Sequence, residues 1–100
     1  MQVSIIIVNY NTKNLTVDCV DSIINKTIGI DYEIILVDNA SSDGSQEFFA
    51  NDARIKFIEA SRNLGFGKAN NLGVQQAKGD YIFSVSYSHM TLRTKLVVYI

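Results

Sequence analysis

Two aspartates five positions apart, Asp38 and Asp43, lie in the stretch "VDNASSDGS" (37–45), which follows an apolar run and is otherwise small and polar. A carboxylate at the end of a buried strand has two uses. It accepts backbone N–H bonds from the loop that follows, or it accepts a hydrogen bond from a ligand, such as the imide or a ribose hydroxyl of a nucleotide. Asp43 stands just before Gly44-Ser45-Gln46-Glu47 and suits a helix cap, with Asp43-x-x-Gln46 as a capping box. Tyr10 offers a ring for stacking, and Arg62 either stacks on or hydrogen-bonds a base or sits solvated on the rim.

Other chemistry is excluded by spacing. Gly65-Phe66-Gly67-Lys68-Ala69-Asn70 follows the dinucleotide pattern G-x-G-x-x-G only in part: Asn70 fills the third glycine position, and the stretch comes after the third strand rather than the first. A phosphate-binding P-loop fails because Gly67-Lys68 is followed by alanine and Arg62 replaces the leading glycine. The glycines either let the helix start close to the sheet or let a ligand approach the backbone, and the amides at that helix start could face a diphosphate. A phosphoacceptor receiver needs acids after the first strand, where this chain has Asn9-Tyr10-Asn11. Cys19 falls on an apolar helix face and reads as a packed thiol. His89 has no recognisable partner, and no zinc-ligand spacing occurs.

The elements that must position these residues follow from periodicity. Val3–Val8, Glu33–Val37, Arg54–Glu59 and the stretch opened by Tyr81-Ile82-Phe83 read as strands, the first two buried on both faces. Leu15, Cys19, Val20, Ile23, Ile24 and Thr27 recur at helical spacing, with Asn11 or Thr12 as cap and Gly29 beyond the end. A short helix runs through Phe48 and Phe49 toward Asn51. A third helix would bury Phe66, Ala69, Asn70, Gly73, Val74 and Ala77. The β-α-β-α-β-α-β order predicts an α/β fold, a Rossmann-like parallel sheet with helices on both faces. Ligands of such sheets bind beyond the carboxyl ends of the strands. Asn9-Tyr10-Asn11, Asp38-Asn39 and Ser61-Arg62-Asn63 should therefore converge on one rim.

Composition bounds the rest. The chain has 100 residues, 47% of them hydrophobic, and a net charge of −1, so it is one domain or part of one and shows no basic face for nucleic acid. A single cysteine excludes an internal disulfide and fits a reducing compartment. The N-terminus lacks the basic region of a signal peptide, and no segment approaches membrane-spanning length. The expected location is cytoplasmic, compatible with peripheral attachment to the cytoplasmic membrane.

Together "VSIIIVNYN", "EIILVDNASSDGS" and "NLGFGKANNLGVQQAKGDYIF" resemble, in order and spacing, the N-terminal half of family 2 glycosyltransferases, inverting enzymes of the GT-A fold, over residues 2 to 83. The wording is similar to the rhamnosyltransferase-like branch. The resemblance implies that Val8, Asn9 and Tyr10 contact base and ribose of a nucleoside-diphosphate sugar, and that Asp38 pairs with a pyrimidine imide N–H. It gives Asp43 a less direct role. Arg62, Asn63, Gly65 and Gly67 would close over base and ribose, with Asn70 on the nucleotide side of its helix. It also implies transfer of the sugar, with inversion, to the hydroxyl of a glycan or lipid-linked acceptor in polysaccharide or cell-surface glycan synthesis.

After "GDYIF" the family carries a D-x-D-like motif that holds Mg²⁺ or Mn²⁺ on the diphosphate. Here that place reads Ser84-Val85-Ser86-Tyr87-Ser88-His89, and no Asp or Glu follows Asp80. Residues 1–83 are therefore expected to form the nucleotide-sugar-binding half, with 84–100 an atypical tail that supports no metal and no catalytic base. The expectation is a truncated or frame-shifted chain, inactive alone, with a marginal fold that self-associates through an exposed sheet edge. The alternative is a non-catalytic pyrimidine-nucleotide-binding module or interaction fragment.

Overall fold

The computed structural model describes residues 2–85. Four strands and three helices alternate: β1 (Gln2–Asn9), α1 (Lys13–Lys26), β2 (Asp31–Asp38), α2 (Ser45–Ala50), β3 (Lys56–Glu59), α3 (Phe66–Gln75) and β4 (Tyr81–Val85). All neighbouring pairs are parallel and the order across the sheet is β3-β2-β1-β4. The chain steps from β1 to β2 to β3 in one direction, then crosses back to place β4 on the other side of β1. Right-handed crossovers force the helices before and after such a reversal onto opposite faces. Their side chains fall out accordingly. Cys19, Val20 and Ile23 of α1 and Phe49 of α2 cluster with Ile5, Ile7, Ile34 and Leu36. Ala69 of α3 clusters with Ile6, Val8, Ile35 and Val37 on the other face. Successive strand residues point to opposite faces, so the unbroken β-branched runs of β1 and β2 fill both layers. The α/β fold read from the sequence, helices on both faces included, is the fold observed.

Packing on the α3 face is close because Gly73 has no side chain. A Cβ there would stand 2.6 Å from Ile6 Cγ2 and 3.2 Å from Val37 Cγ2. The close approach expected of the helix start lies here instead. At Gly65 and Gly67 a Cβ would meet nothing within 4 Å. Gly65 is required for its backbone: φ is +80° and ψ 165°, a region essentially reserved for glycine.

Several local expectations change. Phe66 was expected in the core, but it opens α3 and is 49% exposed. Leu15 is exposed too, and Thr16 takes the buried place in the first turn of α1. Thr12 occupies the α1 N-cap position without a side-chain cap bond. Its hydroxyl donates to Asn9 Oδ1 at 2.9 Å instead. The Lys13 N–H is met by Asp43 Oδ2 at 3.0 Å, and Asp43 Oδ1 also accepts from the Ser45 N–H at 3.1 Å and from the Ser45 hydroxyl. Asp43 therefore meets the first N–H of two helices, Lys13 of α1 and Ser45 of α2, rather than forming a box with Gln46. The domain boundary expected at residue 83 falls inside β4, and Ser84 and Val85 complete that strand. The rest of the expected tail, His89 included, lies outside the described residues.

Candidate nucleotide cleft

Parallel pairing of β1 with β2 sets Asn9 beside Asp38 at the end of the ladder. From there the two strands diverge into loops whose polar side chains satisfy one another. Asn9 is fully buried. Its Nδ2 donates to Asp38 Oδ1 at 2.8 Å and to Ser41 Oγ at 3.3 Å. Its Oδ1 accepts from the hydroxyls of Thr16 at 2.7 Å and Thr12 at 2.9 Å. Asp38, also 0% exposed, takes the Ser41 hydroxyl on Oδ1 at 2.7 Å and the Ser41 N–H on Oδ2 at 2.9 Å. Among the described residues no buried side-chain nitrogen or oxygen lacks a partner. Buried polar groups left unpaired would each cost roughly 1–3 kcal/mol, so this web fixes the rim.

Above the web lies a cleft of about 330 Å³ lined by Val8, Tyr10, Thr12, Asn39, Asn63, Gly65 and Phe66. Ligand pockets run from roughly 300 to 1,000 Å³, so this one is at the small end. Tyr10 and Phe66 are 46% and 49% exposed and present aromatic surface at the cleft. Asn39 forms part of the wall. Its Nδ2 donates to Asn63 Oδ1 at 3.1 Å and to the Gly65 carbonyl at 3.3 Å, and its Oδ1 accepts the Leu64 N–H at 2.8 Å.

The ten site residues expected from the sequence divide between places. Val8, Tyr10, Asn63 and Gly65 line the cleft. Asn9 and Asp38 lie in the buried web beneath it, and neither is a lining residue. Strand alternation explains this: Asp38, the last residue of β2, turns toward Ser41, and Asn39 turns toward Asn63 and Gly65. Of the two, Asn39 is the one that lines the cleft. Asp43 lies in a separate groove with Asn11, Thr12, Lys13, Asn14 and Leu15. Its carboxyl is held below the usual range chiefly by the Ser45 hydroxyl, aided by the Lys13 and Ser45 N–H groups. Arg62 is exposed on the β3–α3 loop and makes no ion pair among the described residues. Gly67 is exposed in the first turn of α3. Asn70 accepts the Ser84 hydroxyl at 2.6 Å and so faces β4.

Three lining residues were given no ligand contact in the sequence reading: Thr12, read as a helix cap, Phe66, read as core, and Asn39, placed on the rim beside Asp38. The signal for Asn39 was its place one residue past an acid at a strand end, where the side-chain face alternates. Cys19 is a packed thiol as read; burial pushes its pKa up to about 11, leaving it protonated and unreactive at neutral pH. Among the described residues no group of three or more His, Cys, Asp or Glu side chains could hold a metal ion, and no step is routed through one. No described helix is long and apolar enough to cross a membrane.

A parallel sheet carrying helices on both faces, with a small part-aromatic cleft beyond the carboxyl ends of β1 and β2, is a partial Rossmann-like α/β fold. The family pattern described as Glycosyl transferase family 2 matches residues 4–85, and the chain belongs to that family. It is 37% identical over 84 residues to glycosyltransferase GlyG of Streptococcus pneumoniae, covering 80% of this chain and 28% of that protein. It is 40% identical over 84 residues to chondroitin synthase of Escherichia coli, covering 80% of this chain and 12% of that protein. The chain thus spans well under a third of either relative. In three dimensions it resembles the mannosyltransferase PcManGT of Pyrobaculum calidifontis, solved with GDP-Man and Mn²⁺. The TM-score is 0.72 at 24% identity, covering 82% of this chain and 26% of that one, a likeness of fold.

Proposed function

We propose that this chain is the nucleotide-sugar-binding part of an inverting glycosyltransferase that builds polysaccharide or cell-surface glycan. The observation that carries the reading is the cleft of about 330 Å³ at the strand ends, where Val8, Tyr10, Asn39, Asn63, Gly65 and Phe66 meet. In this reading Tyr10 and Phe66 supply ring surface for a base, and the amides of Asn39 and Asn63 border its edge. Asn9 and Asp38 hold that rim without touching the ligand, Asp43 ties two helix starts together, and Arg62 and Gly67 border the ribose side. The relatives' names support sugar transfer, and PcManGT's ligands support a nucleoside-diphosphate sugar and a divalent cation in the whole enzyme.

The acceptor hydroxyl of a glycan or lipid-linked sugar would attack the anomeric carbon and displace the nucleoside diphosphate. That step needs a base to take the hydroxyl proton and a stabilised leaving group. Neither an acidic cluster among the described residues nor any Asp or Glu after Asp80 supplies them. In this reading the described residues supply the nucleotide-binding part of that reaction. The wording of its three blocks supports a rhamnosyltransferase-like branch.

Calorimetric titration with UDP, dTDP and GDP, with and without Mn²⁺, tests this. Saturable binding that does not change with Mn²⁺ is expected of the fragment. No binding by demonstrably folded protein would contradict the reading, and sugar transfer by the chain alone would contradict its catalytic half. A purely non-catalytic nucleotide module would use the same cleft. Complementation of this chain by a separately expressed downstream half separates the two. Self-association through β4, which ends the described sheet on one side, is part of the same proposal, and sedimentation showing only monomer at high concentration would count against it.

A further inference from the structure

The β3–α3 loop forms one wall of the cleft yet belongs to no strand or helix, and loops of that kind move unless tied. Among the described residues the hydrogen bonds that tie Asn63, Leu64 and Gly65 to the sheet all run to one side chain, that of Asn39. The carboxamide donates twice, to Asn63 Oδ1 at 3.1 Å and to the Gly65 carbonyl at 3.3 Å, and accepts once, from the Leu64 N–H at 2.8 Å. Asn63 Oδ1 also accepts the Gly65 N–H at 2.8 Å, closing a turn onto the same point. Asn39 is itself held. It is 3% exposed, and its N–H donates to the Asn9 carbonyl at 2.8 Å.

We propose that Asn39 is a positioning residue: its carboxamide clamps the Asn63–Gly65 loop to the end of β2 and so sets the width of the cleft. The role needs a group that donates and accepts at once, which an amide does and a carboxylate cannot. Aspartate at this position would keep the shape and the Leu64 contact. It would lose both donations and face the Asn63 and Gly65 oxygens with negative charge. The consequence for a ligand rests on the nucleotide reading above; the clamp does not.

The test compares wild type, Asn39→Asp, Asn39→Ala and Asn63→Ala by amide hydrogen exchange across residues 61–67 and by UDP titration. With either Asn39 change, exchange of the loop amides is expected to rise about tenfold or more while β1 and β2 stay protected, and UDP affinity to fall about tenfold, the scale of one or two lost hydrogen bonds. If the clamp works through Asn63, the Asn39→Ala/Asn63→Ala double variant loses little more affinity than either single change. Native-like loop protection in Asn39→Asp overturns the clamp. A loosened loop with unchanged UDP affinity, or fully additive losses in the double variant, overturns the positioning role. Loosening of the loop in a chain that binds no nucleotide at all supports the clamp and overturns only the nucleotide reading.

Discussion

Asp38 and Asn39 show how one step along a strand separates two jobs. The Asp38 carboxylate is fully buried and receives an amide, a hydroxyl and a backbone N–H from Asn9 and Ser41. Removing it strands those donors in a buried site, so Asp38→Ala should destabilise the chain by about 2–3 kcal/mol, read as a lower midpoint in denaturant unfolding. A variant as stable as wild type that has simply lost nucleotide affinity would return Asp38 to the ligand. The sequence made the strand-end acid legible because an acid after "EIILV" is conspicuous. Which face it takes was not legible: that depends on where β2 stops and how Ala40, at φ +66°, turns the chain.

At the scale of elements, strands and helices were legible wherever an apolar run or a helical spacing was long. The short or terminal pieces were not. β3 begins at Lys56, two residues later than alternation suggested, because Asp52 and Arg54 are engaged with each other at the preceding turn. Phe66 broke the helical pattern because it opens α3 at the cleft, half-exposed rather than packed on the sheet.

The turn into β4 shows another long-range tie. Glu33 Oε2 accepts from the Ser4 hydroxyl at 2.6 Å and the Lys78 N–H at 2.7 Å, and Ser4 Oγ accepts the Gly79 N–H at 2.8 Å. Burial alone would raise the Glu33 pKa. The bonds from Ser4 and Lys78, with the charges of Lys56 and Lys78, outweigh burial and lower it. A carboxyl with a depressed folded pKa adds stability above its unfolded value of about 4.3, and that stability is lost as pH falls through the folded value. Glu33→Gln should therefore flatten the acid limb of the stability curve, measured as melting temperature between neutral pH and the acid transition. An unchanged acid limb would show that Glu33 does not contribute to it.

For the molecule as a whole, the sheet order β3-β2-β1-β4 brings Val8, Tyr10, Asn39, Asn63, Gly65 and Phe66, from three separated stretches, to one cleft. That convergence was legible in the order of the elements, since parallel connections return every carboxyl end to the same side. The role of each residue within it was not, because hydrogen-bond partners such as Asn9 with Thr16, or Asn39 with Leu64, join positions that no local pattern links. Amide chemical-shift mapping of the chain titrated with UDP tests the central claim most directly. Shifts confined to residues 8–12, 39–41 and 62–67 are the predicted result. Shifts centred on the groove of Asn14, Leu15 and Asp43, or none in a folded protein, would contradict it.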